Sequence, residues 1–102
     1  MAKVRFQPAG DTLYAYLAGE IDHSAAQGLR VALDAEIDSR MPEQLVLDFG
    51  SVGFMDSSGV GLILGRLRRM QAAGGSLRVS HPPEQIRKIL ELAKIDCMEA
   101  KP

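Results

Sequence analysis

The chain has 102 residues, 46% of them hydrophobic and 25% charged, which suits one soluble globular domain over residues 1–102 and leaves no material for a second core. Twelve basic against thirteen acidic side chains give a formal net charge of −1, so electrostatics offers no case for a nucleic-acid partner. Cys97 is the only cysteine, which excludes an intrachain disulfide and a metal held by paired thiolates and fits a reducing compartment.

The longest apolar stretches, around Val46 and Leu62, are broken by Asp, Gly or Arg well short of the ~20 residues that span a bilayer. Met1-Ala2-Lys3-Val4-Arg5 enters a strand pattern rather than the apolar core of a signal peptide. A cytoplasmic protein without a membrane partner is expected.

Apolar residues alternate in Lys3 to Gln7 and again in Thr12 to Ala18, and the Pro8-Ala9-Gly10-Asp11 cluster between them is a turn signal, so the two segments are expected to form an antiparallel hairpin. Asp22 can cap a first helix running to about Arg40, with Ala26, Leu29, Leu33 and Ile37 as its apolar stripe and Gly28 as a local cost of about 1 kcal/mol. Gln44 to Phe49 is a short apolar run that predicts a covered strand, and Gly50 to Met55 reads as a loop.

In the second helix, Val60, Ile63, Leu64, Leu67 and Met70 follow the spacing of a buried stripe, which puts Arg66, Arg68 and Arg69 on a solvated face. Gly61 and Gly65 share a side, suited to close approach of the sheet or another helix. Gly74-Gly75 ends this helix, Ser76 to Ser80 alternates as a strand, and His81-Pro82-Pro83-Glu84 opens a third helix with Ile86, Ile89, Leu90 and Ala93 inward. The tail from Ile95 to Pro102 suits either an edge strand or a frayed end. The fold class is α/β: a mixed four- to five-stranded sheet, antiparallel at its N-terminal hairpin and parallel beyond it, packed by about three helices.

The chemistry of the chain concentrates where the covered strand hands over to the second helix, at Asp56-Ser57-Ser58-Gly59. A P-loop requires Lys followed by Ser or Thr, and no lysine lies between Lys3 and Lys88; the dinucleotide glycine spacing is absent too. A nucleophile elbow places Gly two residues either side of its serine, whereas Ser58 has Asp56 and Val60 there. His23 and His81 are the only histidines that can serve as a base, and both adjoin helix starts. Asp22, His23 and Asp56 make no spaced metal-ligand set. No catalytic residue, metal or cofactor is indicated. A serine at a helix N-cap satisfies one orphan N–H. Three successive capping residues exceed that need, which points to surface chemistry at this turn.

Phe54-Met55-Asp56-Ser57-Ser58-Gly59-Val60-Gly61 with Leu62-Ile63-Leu64-Gly65-Arg66 resembles the signature of the STAS-domain anti-sigma-factor antagonists. Leu17-Ala18-Gly19-Glu20-Ile21-Asp22-His23 is similar to that family's second strand and first-helix start, and Gly74-Gly75 falls where the family turns into its next strand. The resemblance implies the STAS fold and a non-enzymatic regulator. It makes Ser57, directly after the Asp, the phosphorylated residue, with Asp22, His23, Asp56, Ser58 and Gly59 shaping its surroundings and the partner-binding face. It also implies an ATP-dependent anti-sigma factor that is the serine kinase, released on phosphorylation, and a phosphatase that restores binding. No counterpart of the family's C-terminal helix is expected after the third helix of this sequence.

Phosphate on Ser57 adds about −1.5 to −2 charge. A helix N-terminus favours it by roughly 0.3 to 1 kcal/mol, while two unit charges about 6 Å apart repel by roughly 3 kcal/mol at an effective dielectric near 20 before salt screening. Such terms switch binding without refolding. Two other readings stand beside this one: a STAS scaffold subunit of a stress-signalling or transport complex, and a small-molecule-binding or hydrolytic domain, the latter recognisable by a pocket with a base beside Ser57 or Ser58.

Overall fold

The computed structural model describes residues 2–92, 94, 95, 97 and 98, the last two by backbone alone. The elements are β1 (Ala2–Ala9), β2 (Thr12–Ile21), α1 (His23–Arg40), β3 (Gln44–Met55), α2 (Ser57–Ala72), β4 (Ser76–Ser80), α3 (Glu84–Leu92) and β5 (Cys97–Met98). The five strands lie in the order of the chain. β1 and β2 form the expected antiparallel hairpin, and β2·β3, β3·β4 and β4·β5 are parallel. The fold class is therefore the expected mixed α/β sheet, with the tail supplying a short edge strand. Residues 96 and 99–102 of that tail lie outside the described residues.

Alternation sets the core. Leu13, Ala15 and Leu17 of β2 sit across from Leu45, Leu47 and the neighbouring residues of β3, and Leu77 and Val79 of β4 continue the row. Every one is buried, as strands covered on this face require. Against them pack Leu29, Leu33 and Ile37 of α1, Leu62, Ile63 and Met70 of α2, and Ile86 and Leu90 of α3, in one apolar cluster. The opposite face carries Tyr14 and Tyr16, stacked 6.2 Å apart, with the Arg5 guanidinium 4.5 Å above the Tyr16 ring.

Four expectations are corrected. Gly50 to Met55 is strand, not loop: Ser51, Val52, Phe54 and Met55 pair with Ala18, Gly19, Glu20 and Ile21. Two register shifts, between Tyr16 and Ala18 and between Gly19 and Glu20, each take up one extra residue of β3. Gly50 and Gly53 thus mark irregular pairing rather than a break.

Arg66 is buried rather than solvated, its guanidinium 3.0 Å from Asp34 of α1. Arg69 reaches Asp34 and Asp38, and Arg68 is the exposed member of the trio. Gly61 and Gly65 are approached by nothing: a Cβ at either would meet no atom within 4 Å. Ile89 of α3 is exposed, because a nine-residue helix docked through Ile86 and Leu90 turns it outward; Ala93 lies outside the described residues.

At the far end of the short strand β4, Asp48 gathers three donors. Its carboxylate accepts from the Ser80 hydroxyl, from Gly50 N–H at 2.9 Å and from His81 Nδ1 at 2.9 Å. His81 is thereby held by Asp48, with a left-handed backbone at φ 53°. Burial opposes the charge on Asp48, but the hydroxyl of Ser80, the Gly50 N–H and His81 together hold the carboxyl below its ordinary value.

Two outcomes follow from this packing. A Cβ at Gly59 would stand 2.2 Å from Met55 Cγ, whereas one at Gly28 meets open space. In urea unfolding, Gly59→Ala should therefore cost about 1–3 kcal/mol by overpacking, and Gly28→Ala should gain about 0.5–1 kcal/mol. The second outcome concerns acid. A depressed Asp48 contributes stability above its unfolded-state value of 3.8, lost as pH falls through the lower folded-state value. The unfolding free energy should fall below about pH 4, and Asp48→Asn should flatten that slope.

Candidate functional site

Parallel pairing carries β2 and β3 side by side to Ile21 and Met55, and the Asp56 N–H donates to Ile21 O at 3.2 Å. The next residue on each strand is an aspartate. Asp22 has extended backbone (φ −103°, ψ −174°) and its Oδ1 accepts from Ala25 N–H at 2.9 Å, capping α1. Asp56 has nearly the same backbone (φ −97°, ψ −169°) and its Oδ1 accepts from Ser58 N–H at 2.8 Å, capping α2. Two helices thus begin next to one another, their positive ends at one edge of the sheet.

Since Asp56 is the cap, neither serine hydroxyl is needed for capping. Ser57 is the first residue of α2 and is exposed, and its hydroxyl has no hydrogen-bond partner among the described residues. Ser58, at the second position, is half-buried and gives its N–H to Asp56. Gly59 is buried and lets the Met55 side chain pass across the first turn of the helix. Phe54, one residue before Met55, is 51% exposed, a large ring in water on the same strand end.

The structure brings together Asp22, His23, Asp56, Ser57, Ser58 and Gly59. His23 is the first residue of α1, exposed, with Nε2 3.4 Å from Gln27 Nε2. It lines the same groove between α1 and α2 as Ser58. His81 is engaged with Asp48 and Ser80 instead, so it is not a base for either serine. Among the described residues no group of three His, Cys, Asp or Glu side chains is placed to hold a metal ion, and no helix is long and apolar enough to cross a membrane.

The spacing of the second helix did contain a signal for its buried cation. Arg66 lies four residues from both Leu62 and Met70 and three from Ile63, all of them buried. The apolar stripe of α2 thus passes through an arginine. Burial pushes that guanidinium below its ordinary value, Asp34 pulls it back up, and the charges of Arg30 and Arg69 push it down again.

Residues 4–101 match the STAS domain family. The chain is 34% identical over 83 residues to the anti-sigma F factor antagonist of Lysinibacillus sphaericus, covering 81% of this chain and 71% of that protein. It is 35% identical over 77 residues to the protein of the same description in Paenibacillus polymyxa, covering 76% of this chain and 66% of that one. Among solved structures it is similar to the anti-sigma factor antagonist SpoIIAA in its unphosphorylated form, with a TM-score of 0.82, 30% identity and coverage of 97% and 90% of the two chains. The phosphorylated form of the Bacillus cell-fate determinant SpoIIAA gives the same TM-score, 0.82, at 29% identity over 97% and 92%. With its parallel strand ends, paired caps and free serine in place, this chain belongs to the STAS domain family.

Proposed function

We propose that this protein is an anti-sigma-factor antagonist that binds an anti-sigma factor when unmodified and lets it go when Ser57 carries phosphate. The factor is also the ATP-dependent serine kinase, a phosphoserine phosphatase reverses the modification, and the cycle takes place in the cytoplasm. This chain performs no catalysis of its own. The observation that carries the reading is the division of labour at the turn. Asp56 caps α2, so the exposed Ser57 hydroxyl is left to accept a phosphoryl group. The names of the relatives in Lysinibacillus and Paenibacillus support the same conclusion.

The physics of the switch is local. A dianion at the first position of α2 is favoured by the helix dipole and opposed by the carboxylates of Asp22 and Asp56, which their capping bonds hold in place. In a docked complex the phosphate must also shed water, and an unpaired buried charge costs several kcal/mol. Exposed Phe54 offers an anchor beside it for a partner surface. The equal TM-scores to unphosphorylated and phosphorylated SpoIIAA support a switch that leaves the fold intact.

Incubation with the cognate anti-sigma factor and ATP, followed by mass spectrometry and calorimetry, tests the proposal. Phosphate should appear on Ser57 and on no other residue, and the modified protein should bind the factor at least about tenfold more weakly, equivalent to about 1.4 kcal/mol. Phosphate on Ser58, or undiminished binding after modification of Ser57, would overturn it.

A further inference from the structure

Between α1 and α2 runs an open groove of about 380 Å3, whose lining includes His23, Arg30, Ser58, Gly61, Gly65 and Arg66. Two helices packed in register normally fill such a seam with side chains. Here the two glycines leave it open, since nothing lies within 4 Å of where their Cβ atoms would be. Gly costs a helix interior stability relative to Ala, so keeping two of them on the groove side calls for a reason other than packing.

The charges supply one. Arg66 is 6% exposed, and its Nε stands 3.0 Å from Asp34 Oδ1 but out of line for a hydrogen bond. Its Nε and Nη1, and the Asp34 Oδ1 that faces it, are buried atoms with no hydrogen-bond partner among the described residues. Asp34 is in turn shared with Arg69, 3.5 Å away, and Arg69 also pairs with Asp38. Arg30, exposed on α1 and close enough for its charge to act on Arg66, forms no ion pair among the described residues. Three guanidiniums answer to two carboxylates, and the unpaired Arg30 lines the groove beside the buried Arg66.

We propose that this groove is an anion-recognition site that takes an acidic side chain, delivered by a Glu- or Asp-containing segment of the protein that docks against the Ser57 face. A carboxylate entering over Gly61 and Gly65 meets the exposed Arg30 guanidinium, with the charge of buried Arg66 behind it and helix backbone on either side, and a charge-assisted hydrogen bond to Arg30 is short and directional. Ser58, next to Ser57, and His23, at the neighbouring start of α1, both line the groove, so the site continues the proposed binding face and rests on that reading for the identity of the partner. The cation site gives the partner a second, register-fixing hold that phosphate on Ser57 does not occupy.

The site is tested without the partner by following amide and Arg Nε–H resonances while 15N-labelled protein is titrated with an acetylated tri-glutamate peptide, with its tri-glutamine analogue and with inorganic phosphate. Gly61, Gly65 and Arg66 should shift saturably with tri-glutamate and not with tri-glutamine, and Arg30→Gln, at an exposed position, should weaken the effect roughly three- to tenfold. Saturation by phosphate but not by tri-glutamate would overturn the acidic-segment assignment in favour of a free phosphate ligand. Shifts with neither anion, or shifts unchanged in Arg30→Gln, would overturn the site. The anti-sigma factor then tests the assignment of the partner: Arg30→Glu should weaken its binding to the unmodified protein while the factor and ATP can still phosphorylate Ser57, and equal affinity would overturn that assignment. Failure of the wild-type protein to bind the factor at all would count against the antagonist reading, while the peptide titration decides the groove independently.

Discussion

Parallel pairing of β2 with β3 as far as Ile21 and Met55 is the constraint on which the functional end of the molecule depends. It brings the last hydrogen-bonded residues of two strands level, so that the aspartates that follow them can cap two helices from adjacent positions. Had β3 ended at Phe49, the approach to α2 would have been a free loop, with the first turn of the helix unmoored from β2. The two irregularities in the pairing absorb the extra residues of β3 while keeping its end in register with β2. Met55 is buried against Gly59, which locks the strand end onto the first turn of the helix.

A rigid turn has electrostatic consequences. Both carboxylates are committed to backbone N–H groups, which would hold their charges in place under the proposed change at Ser57. In the proposed switch the Ser57 hydroxyl is the one variable in a fixed field, at a helix N-terminus whose dipole favours a dianion. On the flank of the same face the sign reverses, with Arg30, Arg66 and Arg69 outnumbering the carboxylates that answer them. A partner surface complementary to both regions needs an acidic element for the groove and must exclude an acidic one at the turn. Such patterning fixes orientation as well as affinity.

Much of this was legible in the chain. Alternation located β1, β2 and β4, helical spacing located α1 and the stripe of α3 through Ile86 and Leu90, and the motif around Asp56 located the turn. Gly50 to Met55 misled because glycine marks both loops and strand irregularities, and only the partner strand distinguishes them. Arg66 misled because charge outweighed position. Its spacing from Leu62 and Met70 placed it inward, but the carboxylate that makes burial tolerable comes from Asp34, thirty-two residues earlier and on another helix. Gly61 and Gly65 suggested close approach, yet the separation of two helices is set by the whole interface. At this turn the sequence offered three capping candidates, and backbone geometry chose Asp56.

A charge at Ser57 is proposed to change what the face binds while the fold stays as it is. Amide NMR spectra of the same sample before and after phosphorylation at Ser57 test it most directly. Shifts should be confined to the ends of β2 and β3 and the first turns of α1 and α2, around residues 20–26 and 53–61, with core amides such as Leu33, Leu47 and Leu90 unmoved. Shifts spread through those core residues would contradict it.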